Sequence, residues 1–167
     1  TNGKIGKAIS FDGVDDYVNI PSSASLPYGN SARTVELWVY TVPESWKRDA
    51  HTIFGYGASA TRQSFGIDMD VYPNIQVYTY ADDIYVNTGA PQEGWLHIVV
   101  TYDGGTTLKA YINGVEKGSK TLGGALNTAT TDIHIGRAFN FAFYYVGMID
   151  EVRIYNRALT EEEIFSH

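Results

Sequence analysis

Hydrophobic and polar residues alternate with a period of two along most of the chain, in short runs broken by turn chemistry. Thr34 to Val42 sets Val35, Leu37 and Val39 against Glu36, Trp38 and Tyr40. Trp95 to Asp103 does the same with Leu96, Ile98, Val100 and Tyr102 on its apolar side. Phe65 to Met69 turns Phe65, Ile67 and Met69 inward and leaves Asp68 and Asp70 outward. Ile75 to Tyr80 puts Val77 in and Gln76, Tyr78 and Tyr80 out; past a tight turn at Asp82-Asp83, Ile84 to Thr88 turns Tyr85 and Asn87 out. Shorter runs lie at Ala8 to Phe11, Tyr17 to Ile20, Ile53 to Gly57, Leu108 to Ile112 and Ile133 to Gly136. Asn113-Gly114, between Ile112 and Val115, is a strong two-residue hairpin signal. The one helix signal is terminal, where Thr160 and Glu163 have capping-box spacing. About a dozen strands without βαβ spacing predict an all-β fold, an antiparallel two-sheet sandwich of jelly-roll type with a short C-terminal helical turn.

The run Gly147 to Tyr155 ends the pattern and organises the rest. Strict alternation places Met148, Asp150, Val152 and Ile154 on one face. Asp150 then sits among three apolar side chains, where an unpaired carboxylate costs several kcal/mol to keep ionised. Compensation requires a metal ion, backbone donors or a hydrogen-bonding partner. A second acidic group, Asp12, Asp15 and Asp16, lies in the turn after the first strand. These observations predict that the first and last strands are neighbours and that Ca2+ bridges Asp150 and the Asp12 turn. Asp12 and Asp15 can equally serve as Asx-type turn residues.

Composition narrows the function. With 167 residues the chain is long enough for one domain burying roughly 70% of its extended surface. The net charge of −7, from 12 basic and 19 acidic residues without basic clusters, argues against a nucleic-acid partner. It suits a neutral ligand or a cation. The absence of cysteine excludes disulfides and thiolate metal sites. No apolar run reaches the ~18 residues of a membrane span, so no membrane insertion is expected. The opening Thr1-Asn2-Gly3-Lys4, without an initiator Met or signal peptide, reads as a module cut from a longer precursor with other domains attached.

Several strings occur together in order: Gly6-Lys7-Ala8-Ile9-Ser10 followed by FDGVDDYVNIP, then TVELWVY, GWLHIVVTYDG, LKAYINGV, IHIGR and GMIDEVRIYNRALTEEEI. This order resembles the laminin-G-like jelly rolls of the concanavalin A-like lectin and glucanase superfamily, over roughly Gly6 to Ile164. The resemblance implies two curved antiparallel sheets and a structural Ca2+ near the first and last strands. It also implies carbohydrate binding or adhesion within secreted or cell-surface proteins. Carried over by position, the calcium candidates are Asp12 and Asp150, with Asp15 or Asp16, and backbone carbonyls completing an oxygen shell.

The middle of the chain supplies the ligand candidates. Asp68, Asp70, Gln76, Tyr78, Tyr80, Tyr85 and Asn87 combine flat rings with carboxylate and amide groups, the mixture that sugar C–H faces and hydroxyls require. Trp46, Tyr72, Tyr144 and Tyr145 are candidate rim contacts, and Trp38 and Trp95 are assigned to the core. Tyr also favours half-exposed strands for its own sake. Related glycoside hydrolases place two Glu around an Asp on one strand, and around Gly66-Ile67-Asp68-Met69-Asp70 both Glu are missing. The expectation is a non-catalytic carbohydrate-binding module for an oligo- or polysaccharide. The alternative is an adhesive domain binding a surface protein or a neighbouring domain, favoured by the aromatic run Phe139 to Tyr145.

Overall fold

The computed structural model describes residues 1–46, 51–140 and 143–167. Phe141 and Ala142, the centre of the aromatic run, lie outside the described residues. The strands are β1 (Ile9–Asp12), β2 (Val18–Ile20), β3 (Arg33–Thr41), β4 (His51–Gly57), β5 (Ser64–Met69) and β6 (Asn74–Tyr78). They continue with β7 (Ile84–Asn87), β8 (Gly94–Tyr102), β9 (Thr107–Ile112), β10 (Val115–Thr121), β11 (Ile133–Ile135) and β12 (Val146–Tyr155), before helix α1 (Glu161–Ser166). Two six-stranded antiparallel sheets result, with strand orders β1-β12-β3-β8-β9-β10 and β2-β11-β4-β5-β6-β7. The predicted sandwich is therefore present, and its first and last strands pair as expected.

The alternating runs explain the packing. Val35, Leu37 and Val39 of β3 and Leu96, Ile98 and Val100 of β8 meet Phe65, Ile67, Met69, Ile75 and Val77 of the opposite sheet in one buried cluster. The β9–β10 hairpin closes through Asn113 and Gly114, both at positive φ (50° and 79°), as a type I′ connection demands. Thr160 accepts from the Glu163 amide, and Glu163 reaches back to the Thr160 N–H, completing the capping box of α1.

Some details depart from the alternation. In β12 the pairing with β3 slips between Asp150 and Arg153, and Glu151 adopts φ 51°. This bulge splits the expected face. Ile149, Val152 and Ile154 pack on the core, while Asp150 pairs across from Trp38 on the outer face. There the N-terminal segment covers it: Asp150 is 8% exposed, and Oδ2 accepts from the Ile5 amide at 3.0 Å and Oδ1 from its neighbour Glu151 at 2.9 Å. Trp38 is not core either. It stacks on the His97 ring at 4.7 Å, with the Lys4 ammonium 4.1 Å from its centroid. Trp95, also assigned to the core from sequence, is only half-buried, edge-on to Tyr40.

Two buried charged groups fasten the interior. Arg33, fully buried, donates to Tyr56 Oη (2.7 Å), Thr128 Oγ1 (3.0 Å) and the carbonyls of Gly29 and Ser31. Glu36, on the outer face of β3, accepts from Tyr155 Oη at 3.0 Å and lies 3.1 Å from His97 Nε2 and from His167 Nδ1. Burial works against its ionised form, but hydrogen bonds from His97 and Tyr155 and the charge of His167 prevail and hold it at about 2.

Candidate functional site

The outer face of the β4–β7 sheet carries a groove of about 590 Å³. Its walls and floor include Asp68, Asp70, Gln76, Tyr78, Tyr80 and Tyr85, six of the ligand candidates read from sequence. They converge because β5, β6 and β7 are adjacent and in register: Asp68 pairs with Gln76, and Gln76 with Tyr85. Alternation then points all three side chains away from the core.

Glycines shape one end of this floor. Gly55 of β4 and Gly66 of β5 have no side chain, and the Tyr78 ring lies across both, so that a Cβ at either position would overlap it. Phe139 stacks above, with centroids 6.0 Å apart and rings inclined by 26°. Tyr78 is therefore 8% exposed, not an open platform, and its hydroxyl is buried without a hydrogen-bond partner. Asp68 Oδ1 is likewise closed off and unpartnered. Burial pushes the Asp68 carboxyl up to about 7; a hydrogen bond from the Thr52 side chain opposes this, and the nearby charges of Asp83 and Asp70 add to it. A buried carboxylate oxygen without a donor favours the protonated form.

The open aromatic surface comes from the other side. Tyr85 is 62% and Tyr80 41% exposed. Strand β6 stops at Tyr78, not Tyr80, because Asp83 Oδ1 captures the amides of Thr79 and Tyr80 (2.8 and 3.2 Å), and Tyr80 turns to φ 71°. Asp83 Oδ2 also takes the Gln76 amide at 3.0 Å. Asp83, Thr52, Asn140 and Phe143 line the groove and were not among the ligand candidates read from sequence. Asp83 reads there only as a turn residue, and Asn140 and Phe143 arrive from a distant loop that no local pattern connects to β6.

The remaining candidates lie elsewhere. Trp46 is 5% exposed, in the core, donating Nε1–H to the Gln92 carbonyl; the expected rim contact is corrected to a packing role. Tyr72 packs edge-on to Trp46, and Tyr145 is fully buried with its hydroxyl on the Tyr40 carbonyl. Asn87 closes an Asx turn onto the Gly89 amide. Tyr144 shelters the Arg137 guanidinium, 5.7 Å from its ring centroid, with Tyr17 at 4.9 Å.

The acidic turn forms a separate feature. One carboxylate oxygen from each of Asp12, Asp15 and Asp16 can be chosen so that all lie within 4.8 Å of one another, and all three residues are exposed. Asp12 Oδ1 caps the Val14 amide and Asp16 Oδ2 the Asp12 amide. Among the described residues none of the three forms an ion pair. Asp150 does not join them. The β1–β12 register pairs Ile9 with Ile149 and Asp12 with Val146, which leaves Asp150 four residues along the ladder from Asp12. The expected grouping of Asp150 with the Asp12 turn is corrected: Asp150 stands apart from the three carboxylates, and the Ile5 and Glu151 amides donate to it.

Comparison with known proteins identifies the fold. The sequence profile described as the concanavalin A-like lectin/glucanases superfamily matches residues 12–165. The chain belongs to this family. Domain 4 of AbnA, a GH43 extracellular arabinanase from Geobacillus stearothermophilus, solved in complex with arabinotriose, is 26% identical with a TM-score of 0.75, covering 99% of this chain and 78% of that one. A native heptameric SAP-like pentraxin from Limulus polyphemus shares the fold at 16% identity and a TM-score of 0.71, over 95% of this chain and 79% of that one. The receptor binding domain of botulinum neurotoxin D does so at 15% identity and a TM-score of 0.75, over 96% and 43%. No curated protein matches the chain. Among the described residues no helix is long and apolar enough to cross a membrane.

Proposed function

We propose that the chain is a non-catalytic carbohydrate-binding module that holds an oligosaccharide in the groove of the β4–β7 sheet. The carrying observation is the meeting, in one groove, of the Asp70 carboxylate, which takes no side-chain hydrogen bond among the described residues, with the exposed rings of Tyr80 and Tyr85. A sugar supplies hydroxyls to the carboxylate and C–H faces to the rings. The arabinotriose bound by the arabinanase domain supports this choice of ligand class. An adhesive face would expose an extended apolar patch; here carboxylate and amide groups interrupt the rings.

The module acts outside the cell, like the extracellular arabinanase to which its domain relative belongs, and joins a larger secreted or surface protein. Its structural Ca2+ sits at the Asp12–Asp15–Asp16 turn. Three hard, exposed carboxylates carry uncompensated charge there, and the carboxylate oxygens not used in turns fit an oxygen-ligated cation. The groove reading is tested by isothermal titration calorimetry against a panel of neutral oligosaccharides that includes arabinotriose. Binding that Tyr85→Ala weakens at least about tenfold, with the fold intact, supports it. Heat-silent titrations across the whole panel would overturn it.

A further inference from the structure

We infer that the groove sorts glycans by charge: it admits uncharged oligosaccharides and turns away those carrying carboxylates, with Asp68 and Asp70 setting the selection. This rests on the carbohydrate-binding reading above and adds which sugars the site accepts.

Three carboxylates face the groove, Asp68, Asp70 and Asp83, and among the described residues no Lys or Arg lines it. Asp83 is spent on the Thr79, Tyr80 and Gln76 N–H groups. Among the described residues Asp70 makes no side-chain hydrogen bond and Asp68 Oδ1 has no partner. Two described cations beside the β6–β7 turn are committed elsewhere. Arg62 Nε is 2.8 Å from Asp82, and Lys120 Nζ donates to the Asp83 carbonyl at 3.0 Å.

The unpartnered Tyr78 hydroxyl is closed off beneath Phe139, so the free capacity that a ligand reaches is acceptor capacity. A sugar hydroxyl can donate to it. A uronate or sialate carboxylate brings acceptors only, and sets a like charge beside Asp70, and beside Asp68 once that carboxyl ionises, in a site where water screens poorly. The net charge of −7 adds a longer-range repulsion in the same direction. Replacing either carboxylate by its amide keeps the shape, removes the charge and offers an N–H to an anionic sugar.

The test compares arabinotriose, xylotriose and cellotriose with trigalacturonate, by calorimetry, for the wild-type chain, Asp70→Asn and the Asp68→Asn/Asp70→Asn double variant, with folding checked by circular dichroism. The wild type should bind a neutral trisaccharide at least about tenfold more tightly than trigalacturonate at low ionic strength, and the gap should narrow in high salt. Both variants should narrow it further at fixed salt. Equal wild-type affinity for neutral and uronate trisaccharides would overturn the charge selection and leave the groove reading standing. An unchanged gap in the variants would overturn the assignment to Asp68 and Asp70. Silence towards every neutral sugar would fell the groove reading itself, and the selection with it.

Discussion

Replacing Asp68 by Asn should make the protein more stable at alkaline pH, although it deletes a polar group from the site. The carboxyl stands at about 7, against an ordinary value of 3.8. A rise of roughly three pH units corresponds to about 4 kcal/mol of strain on the ionised form. The side chain keeps some surface in the groove, so about 2 kcal/mol is the working figure and 4 the ceiling. Because the folded-state value lies above the unfolded one, the native protein holds the proton more tightly. This contribution is complete below about pH 4 and is lost as pH rises through 7. The amide has no such dependence. Urea denaturation of the wild type and Asp68→Asn at pH 4, 6, 7 and 8.5 isolates the effect, since every other titrating group is common to both. The difference curve should rise with pH and level off above about 8. A variant equal to or weaker than the wild type at pH 8.5, with a flat difference curve, would refute the claim that this carboxylate is stranded.

Other outcomes follow from the same geometry. Gly66→Ala should displace the Tyr78 ring and cost about 1–3 kcal/mol in denaturation, with sugar binding lost alongside. Glu36, held at about 2, contributes stability that is present above its unfolded value near 4.5 and is lost as pH falls towards 2. Glu36→Gln should therefore flatten the acid limb of the stability profile, read by circular dichroism. Chelation with EDTA should lower Tm if Ca2+ occupies the Asp12 turn, and Asp15→Asn/Asp16→Asn should abolish that response; an EDTA-insensitive melting curve would remove the ion.

The sandwich was legible because alternation is a local property: Val35, Leu37 and Val39, or Phe65, Ile67 and Met69, declare their inward face within one strand. Much of the groove was legible for the same reason, since Asp68, Gln76 and Tyr85 follow from parity once their strands are neighbours. What failed was whatever resets parity or crosses the chain. The bulge at Glu151 moved Asp150 to the outer face, and nothing in Asp-Glu-Val-Arg announces a residue at positive φ. Trp46 sits in a polar stretch yet reaches the core through the Gln92 carbonyl, a partner 46 positions away. Tyr78 resembled Tyr80 and Tyr85 by spacing, and only the glycines on two other strands show that it lies flat beneath Phe139.

Lys4 and His167, from opposite extremities of the sequence, rest on Trp38 and Glu36, two positions apart on β3. Both ends thus leave from the back of the molecule, behind the sheet that bears the groove. A tether joined to either end emerges away from the sugar site. Fusing the chain head-to-tail with a catalytic unit, or immobilising it by either extremity, should therefore leave the recognition side turned outward towards a polysaccharide surface.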